Sequence, residues 1–110
     1  MKGVASLAFE TSYGKSRLRE YRSEITVFAE ILDVVKDIGM QGIIISAIAR
    51  IVNLAHYSAL EKCQKLVDAG LLEQIRTGKK RLFRISTKGI EYHMEYQRFQ
   101  EITKKINLKL

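Results

Sequence analysis

Apolar residues along this chain change their spacing twice, and each change marks a new kind of element. Leu18, Tyr21, Ile25, Phe28, Leu32 and Val35 recur at intervals of three and four, the stripe of an amphipathic helix. Ser16 or Ser23 can cap its start. Gly39 predicts its end, because a left-handed C′ position costs glycine little. After Gly42 a shorter helix is expected, with Ser46 as N-cap and Ile48, Ala49 and Val52 as its apolar face. Asn53 suits the turn that closes it. A helix of about two turns is not stable without neighbours to pack on. A third helix is expected from about Ala55 to Ala69, stopping at Gly70. Ala59, Leu60, Cys63, Leu66 and Val67 share one face of it, and Tyr57, Ser58, Glu61, Lys62, Lys65 and Asp68 lie off that face.

The period then shortens. Leu71–Arg76 and Arg81–Ser86 read as strands around the four-residue connection Thr77-Gly78-Lys79-Lys80, which predicts a β-hairpin. Phe83 and Ile85 fall on one strand face and are expected to point at the helices, with Arg84 outward. Ser86 can cap a last helix reaching toward Leu110. Within it Tyr92, Tyr96, Phe99, Thr103, Ile106 and Leu110 form a seam of the coiled-coil type. One helix over residues 87–110 is roughly 36 Å long, against about 27 Å for a globule of this size. It is expected to protrude and to pair with a second copy of the chain. Folding back on the first helix is the alternative. His93 is expected to be exposed on this helix.

Charge sharpens the picture. The 110 residues carry 19 Lys and Arg against 12 Asp and Glu, a net charge of +7. Residues 1–22 contribute +3 and residues 71–89 contribute +5, whereas residues 23–70 sum to −2. A focused surplus points to a polyanion, nucleic acid first and an acidic membrane surface second. No stretch approaches the roughly 20 apolar residues that span a bilayer. Val4–Phe9 is short for a signal-peptide core. One cysteine cannot make an internal disulfide, and with two histidines it cannot fill a structural zinc site, so a reducing, cytoplasmic setting is expected. Cys63 sits in an apolar face and reads as a small buried hydrophobe. There is no Gly-rich phosphate loop, nucleophile elbow or carboxylate pair at a loop junction. Neither an enzyme nor a cofactor, metal or small-molecule effector is expected.

Three helices followed by a basic hairpin and a long helix make an α+β, mostly α, winged helix-turn-helix. The third helix suits a major groove. The hairpin brings Lys79, Lys80, Arg81 and Arg84 to phosphates, and Ser46 at a helix N-terminus favours a further one. The run Asn53-Leu54, then Leu66-Val67-Asp68-Ala69-Gly70-Leu71-Leu72-Glu73, then Gly78-Lys79-Lys80-Arg81-Leu82-Phe83-Arg84-Ile85-Ser86-Thr87-Lys88-Gly89, resembles the archaeal winged-helix DNA-binding proteins. The nearest subfamily is that of small dimeric chromatin-associated proteins, whose long C-terminal helices pair antiparallel. The resemblance covers roughly residues 22–110. It implies a nucleoid-associated homodimer on double-stranded DNA, a transcription regulator or architectural factor, with Tyr57, Ser58, Glu61, Lys62 and Lys65 of the third helix and Lys79, Lys80 and Arg81 of the wing facing the DNA. Ala55 departs from the Ser usual as third-helix cap, leaving that end loosened or capped by Asn53, and Thr103 departs from an aliphatic seam.

The expected organisation is a basic arm or helix extension (1–22), the winged domain (23–86) and the coiled-coil helix (87–110). Arg17, Arg19 and Arg22 fit either a minor-groove arm or the solvated face of the first helix. His56 reads as a structural histidine more readily than as a pH-dependent DNA contact. Glu61 and Lys65 can pair with each other, or Glu61 can accept from a cytosine amino group. A winged helix used only for protein–protein assembly is the competing function. RNA fits less well, since Phe83 is the lone aromatic of the basic hairpin and points inward.

Overall fold

Ser23 opens the first element. Its backbone is extended and its Oγ accepts from the Thr26 N–H at 3.1 Å, satisfying one of the free donors of a helix start. A computed structural model describes residues 22–106. Over these the order is α1 (Glu24–Ile38), β1 (Ile43–Ile44), α2 (Ile45–Val52), α3 (His56–Asp68), β2 (Leu72–Thr77), β3 (Lys80–Ile85) and α4 (Thr87–Lys105). Ser16, Arg17, Leu18, Arg19, Tyr21 and Leu110, which enter the readings above, lie outside the described residues.

Helix α1 ends at Gly39 as expected, but Gly39 is the C-cap itself, at φ 90° and ψ −158°, a positive-φ conformation other than the left-handed C′ turn anticipated. Its core line is Val27, Ile31, Leu32 and Val35, all buried, while Ile25 is 57% exposed and Phe28 is half-buried. The anticipated stripe through Ile25 is therefore displaced. The helix carries more apolar positions than one stripe holds, and packing against the sheet selects among them.

Helix α2 corrects the Ser46 cap. Ile44 holds the N-cap position with no side-chain bond, and Ser46 lies exposed in the first turn. The reason is a strand that periodicity did not reveal. Ile43 pairs with Phe83 and Ile44 with Leu82, so the chain passes from strand directly into helix. Asn53 closes α2 in the left-handed region, φ 62° and ψ 57°. It is thereby unavailable to cap α3, whose N-cap Ala55 makes no side-chain bond.

The three strands are antiparallel, with β3 between β1 and β2. The register from Leu72↔Ile85 to Thr77↔Lys80 leaves Gly78 and Lys79 as the whole loop, two residues rather than four. Gly78 has φ 63°, which matches the glycine-first type II′ class favoured in two-residue hairpins. Phe83, Ile31, Leu32, Ile48, Val35 and Cys63 are the largest fully buried side chains. Together they join α1, α2, α3 and the sheet in one core.

Ser86 starts α4 as expected. Its Oγ accepts from the Gly89 N–H at 2.9 Å and donates to the Gly70 carbonyl at 2.6 Å. Gly89 permits the helix to meet the chain entering β2, since a Cβ there would stand 2.1 Å from the Leu71 carbonyl oxygen. The helix then passes along α1. His93 is 3% exposed, with Nε2 3.1 Å from Asp33 Oδ1, which corrects its expected exposure. Gly89, His93 and Thr103 are buried and Tyr96 and Gln100 half-buried, a face of small and polar residues that an apolar pattern cannot reveal. Of the expected seam, Thr103 is buried on this face and Tyr96 half-buried, whereas Tyr92, Phe99 and Ile106 are exposed. The helix packs within its own chain and still leaves much of its apolar surface uncovered.

Candidate nucleic-acid interface

Helix α3 is anchored by Ala59, Cys63 and Leu66, all buried. That anchoring turns Tyr57, Glu61, Gln64 and Lys65 outward, with Tyr57 80% exposed. Burial pushes the Cys63 thiol up to about 12, against the pull of the Arg81 charge. It is a packing residue and not a nucleophile at neutral pH.

The hairpin supplies the other wall. Arg81, Phe83 and Ile85 alternate onto the helix side of β3. Phe83 and Ile85 enter the core, and Arg81 lies just beyond it with its guanidinium 5.6 Å from the Phe83 ring centroid. A cation over an aromatic face is held in place as well as stabilised. Arg81 and the outward residues of α3 line one cleft of about 390 Å³, formed by Tyr57, Leu60, Glu61, Gln64, Lys65 and Arg81. Third helix and wing base thus share a side of the molecule.

Arg76 joins this side. It pairs directly with Arg81 across the ladder, so both side chains leave the same face of the sheet. Like charges directly opposite disfavour the sheet, and an anion between them removes that penalty. Arg76 is missing from the residues read off the sequence, although a turn centred on Gly78-Lys79 already predicts the pairing. Lys79 and Lys80 are exposed at and beside the turn.

Other candidate residues stand apart. Arg84 is on the opposite sheet face, where its Nε donates to Glu73 Oε1 at 2.8 Å. Ser46 is on α2, and Ser58 is half-buried in the first turn of α3. Lys62 and Lys65 both bind a single oxygen, Glu24 Oε2 on α1, at 3.0 and 2.8 Å. The hydrogen bonds from Lys65 and then Lys62 lower the Glu24 pKa, and Glu24 raises that of Lys65. Lys65 therefore pairs with α1 and not with Glu61. Arg22 ion-pairs with Glu30 and reaches the Asn53 carbonyl. His56 is exposed. Among the described residues no group of three or more His, Cys, Asp and Glu is arranged to hold a metal ion, and no helix is long and apolar enough to cross a membrane.

A second groove lies between the start of α1 and α4. Ser23, Ile25, Thr26, Tyr92, Glu95, Tyr96 and Phe99 line it, at about 480 Å³. It joins the exposed apolar residues of α4 and carries none of the wing cations.

No protein-family model matches the chain, and no curated protein sequence does. Solved structures do. The PcaV transcriptional regulator from Streptomyces coelicolor superposes with a TM-score of 0.67 at 18% identity, over 74% of this chain and 60% of that one. The chain thus spans about 60% of the length of that relative. Sso10a-2, a DNA-binding protein from Sulfolobus solfataricus, gives 0.65 at 16% identity, over 78% of this chain and 86% of its own. AF1382 from Archaeoglobus fulgidus gives 0.61 at 22% identity, over 79% and 96%. With the element order and the three-stranded sheet, these likenesses establish a mostly helical winged-helix fold with a long C-terminal helix.

Proposed function

We propose that the protein binds double-stranded DNA as a homodimer, as a transcription regulator or as an architectural factor of the nucleoid. The carrying observation is the cleft that joins the outward face of α3 to Arg81 at the base of a cationic wing. A major groove accepts one α-helix. With α3 in it, Lys79 and Lys80 reach flanking phosphates and Arg76 and Arg81 stand at the groove edge. Phosphate contacts of this kind position a protein, and base contacts from α3 specify the site. Two of the similar structures belong to a transcriptional regulator and a DNA-binding protein, which supports the same reading. The second copy is assigned to α4, where Phe99, Ile102 and Ile106 are all about half or more exposed.

Fluorescence anisotropy on a random-sequence duplex tests this. A dimer neutralising about six to eight phosphates gives a slope of log K against log salt of roughly −5 to −7. A flat salt response, or no binding at micromolar protein, contradicts it and favours a winged helix used for protein assembly.

A further inference from the structure

We infer that Glu61 makes the α3 surface selective for a cytosine, and that Glu24 is the positioning residue that keeps it available. The inference rests on the DNA-binding reading and goes one step further, to how sequence is read. The surface that faces the cleft is not uniformly cationic. Both lysines of α3 are drawn onto one carboxylate oxygen of Glu24, which belongs to α1. Lys62 is the more buried of the two, its side chain 20% exposed against 52% for Lys65, whose bond is the shorter.

Two consequences follow. The positive charge that α3 brings toward a phosphate is offset by Glu24. Glu61 also loses the partner that helical spacing provides, since a Lys four residues on is the favourable arrangement. It has no hydrogen bond or ion pair among the described residues, though its field still reaches Lys65. A free carboxylate aimed at a polyanion weakens binding to every sequence. What offsets that repulsion in a major groove is a donor on a base edge. The cytosine N4 amino group is the donor that a carboxylate accepts from. Adenine presents its amino group beside an acceptor and suits an amide instead. Glu61 is in the second turn of α3, one turn beyond Tyr57, within reach of the base edges that the N-terminal part of a recognition helix contacts.

The experiment is binding-site selection from a random duplex library with the full chain and its Glu61→Gln and Glu24→Gln variants, alongside anisotropy on random duplex. The wild type is expected to enrich a C·G pair at one position of each half-site, by roughly tenfold. Glu61→Gln is expected to lose that enrichment or move it to A·T, keep the other positions, and bind random duplex a fewfold tighter. Glu24→Gln frees Lys65 to close on Glu61, so it weakens the cytosine preference and raises random-duplex affinity. A merely structural role for either residue moves stability and not base preference. Unchanged base preference in Glu61→Gln overturns the inference. Salt-dependent wild-type binding with no preferred base overturns it while leaving the DNA-binding reading intact. Failure of the wild type to bind any duplex overturns both.

Discussion

Helices α3 and α4 place their apolar residues in opposite ways. Helix α3 puts Ala59, Cys63 and Leu66 into the core and shows solvent a hydroxyphenyl ring, an acid, an amide and a cation. Helix α4 buries Gly89, His93 and Thr103 and leaves Ile90, Tyr92, Met94, Phe99, Ile102 and Ile106 exposed. A helix that has satisfied its apolar face internally is free to meet a polar, charged partner. One that has not needs an apolar cover. The chain thus exposes a polar, charged face on α3 and an apolar one on α4.

The largest expected effect contrasts the two helices directly. Leu66→Ala, under α3, should lower unfolding free energy by about 3 kcal/mol, the ordinary range for a buried leucine. Ile102→Ala on α4 should leave the isolated protomer within about 0.5 kcal/mol of wild type. Urea unfolding at low protein concentration measures both, and equal losses would erase the contrast. Gly89→Ala comes next. Its Cβ meets backbone at Leu71, so the junction of α4 with the sheet must shift, at roughly 2 kcal/mol. Phe99→Ser with Ile102→Ser should then turn dimer into monomer in sedimentation at micromolar protein, with thermal stability of the winged domain little changed. Persistence of the dimer would assign the interface elsewhere. On the polar side, Lys79→Ala with Lys80→Ala should reduce the salt slope by about two for each protomer, roughly one for each phosphate that the variant no longer neutralises.

The smallest effect concerns the Glu24 ion pairs. Its carboxyl is held below the ordinary value of 4.5, so its stabilising contribution is present above that value and fades as pH falls through the lower folded one. The Lys65 amine is raised above 10.5, so its contribution holds below that value and fades as pH rises through the higher folded one. A Glu24–Lys65 double-mutant cycle should therefore give a coupling that is constant around neutrality and vanishes in acid. Coupling that survives full protonation of carboxylates would mean the interaction is not ionic.

Locally encoded features are the legible ones. Gly39, Asn53 and Ser86 end or start helices through their own backbone preferences or side chains, and each does so in the structure. The exposure of Lys79 and Lys80 at the turn, and of Tyr57, Glu61 and Lys65 on α3, is likewise legible, because turn position and helical period orient them, whereas Arg76 escapes that reading and Arg84 lies on the other sheet face. Non-local features are not. The β1 strand is two residues of an isoleucine run that gains its character from β3, and without it Ser46 looks like a cap. The burial of His93 comes from α4 packing on α1, where its partner Asp33 stands sixty residues away. The capture of Lys62 and Lys65 by Glu24 spans 38 and 41 residues, and spacing along α3 alone suggests a pair with Glu61 instead.

Amide chemical-shift mapping on addition of a short duplex tests the division of surfaces most directly. The predicted result is one contiguous set of perturbed amides, at Tyr57–Lys65 on α3 and Arg76–Arg81 on the wing, with the groove between α1 and α4 unaffected. Perturbations centred on Phe99–Ile106, or a wing that shifts without α3, would contradict it.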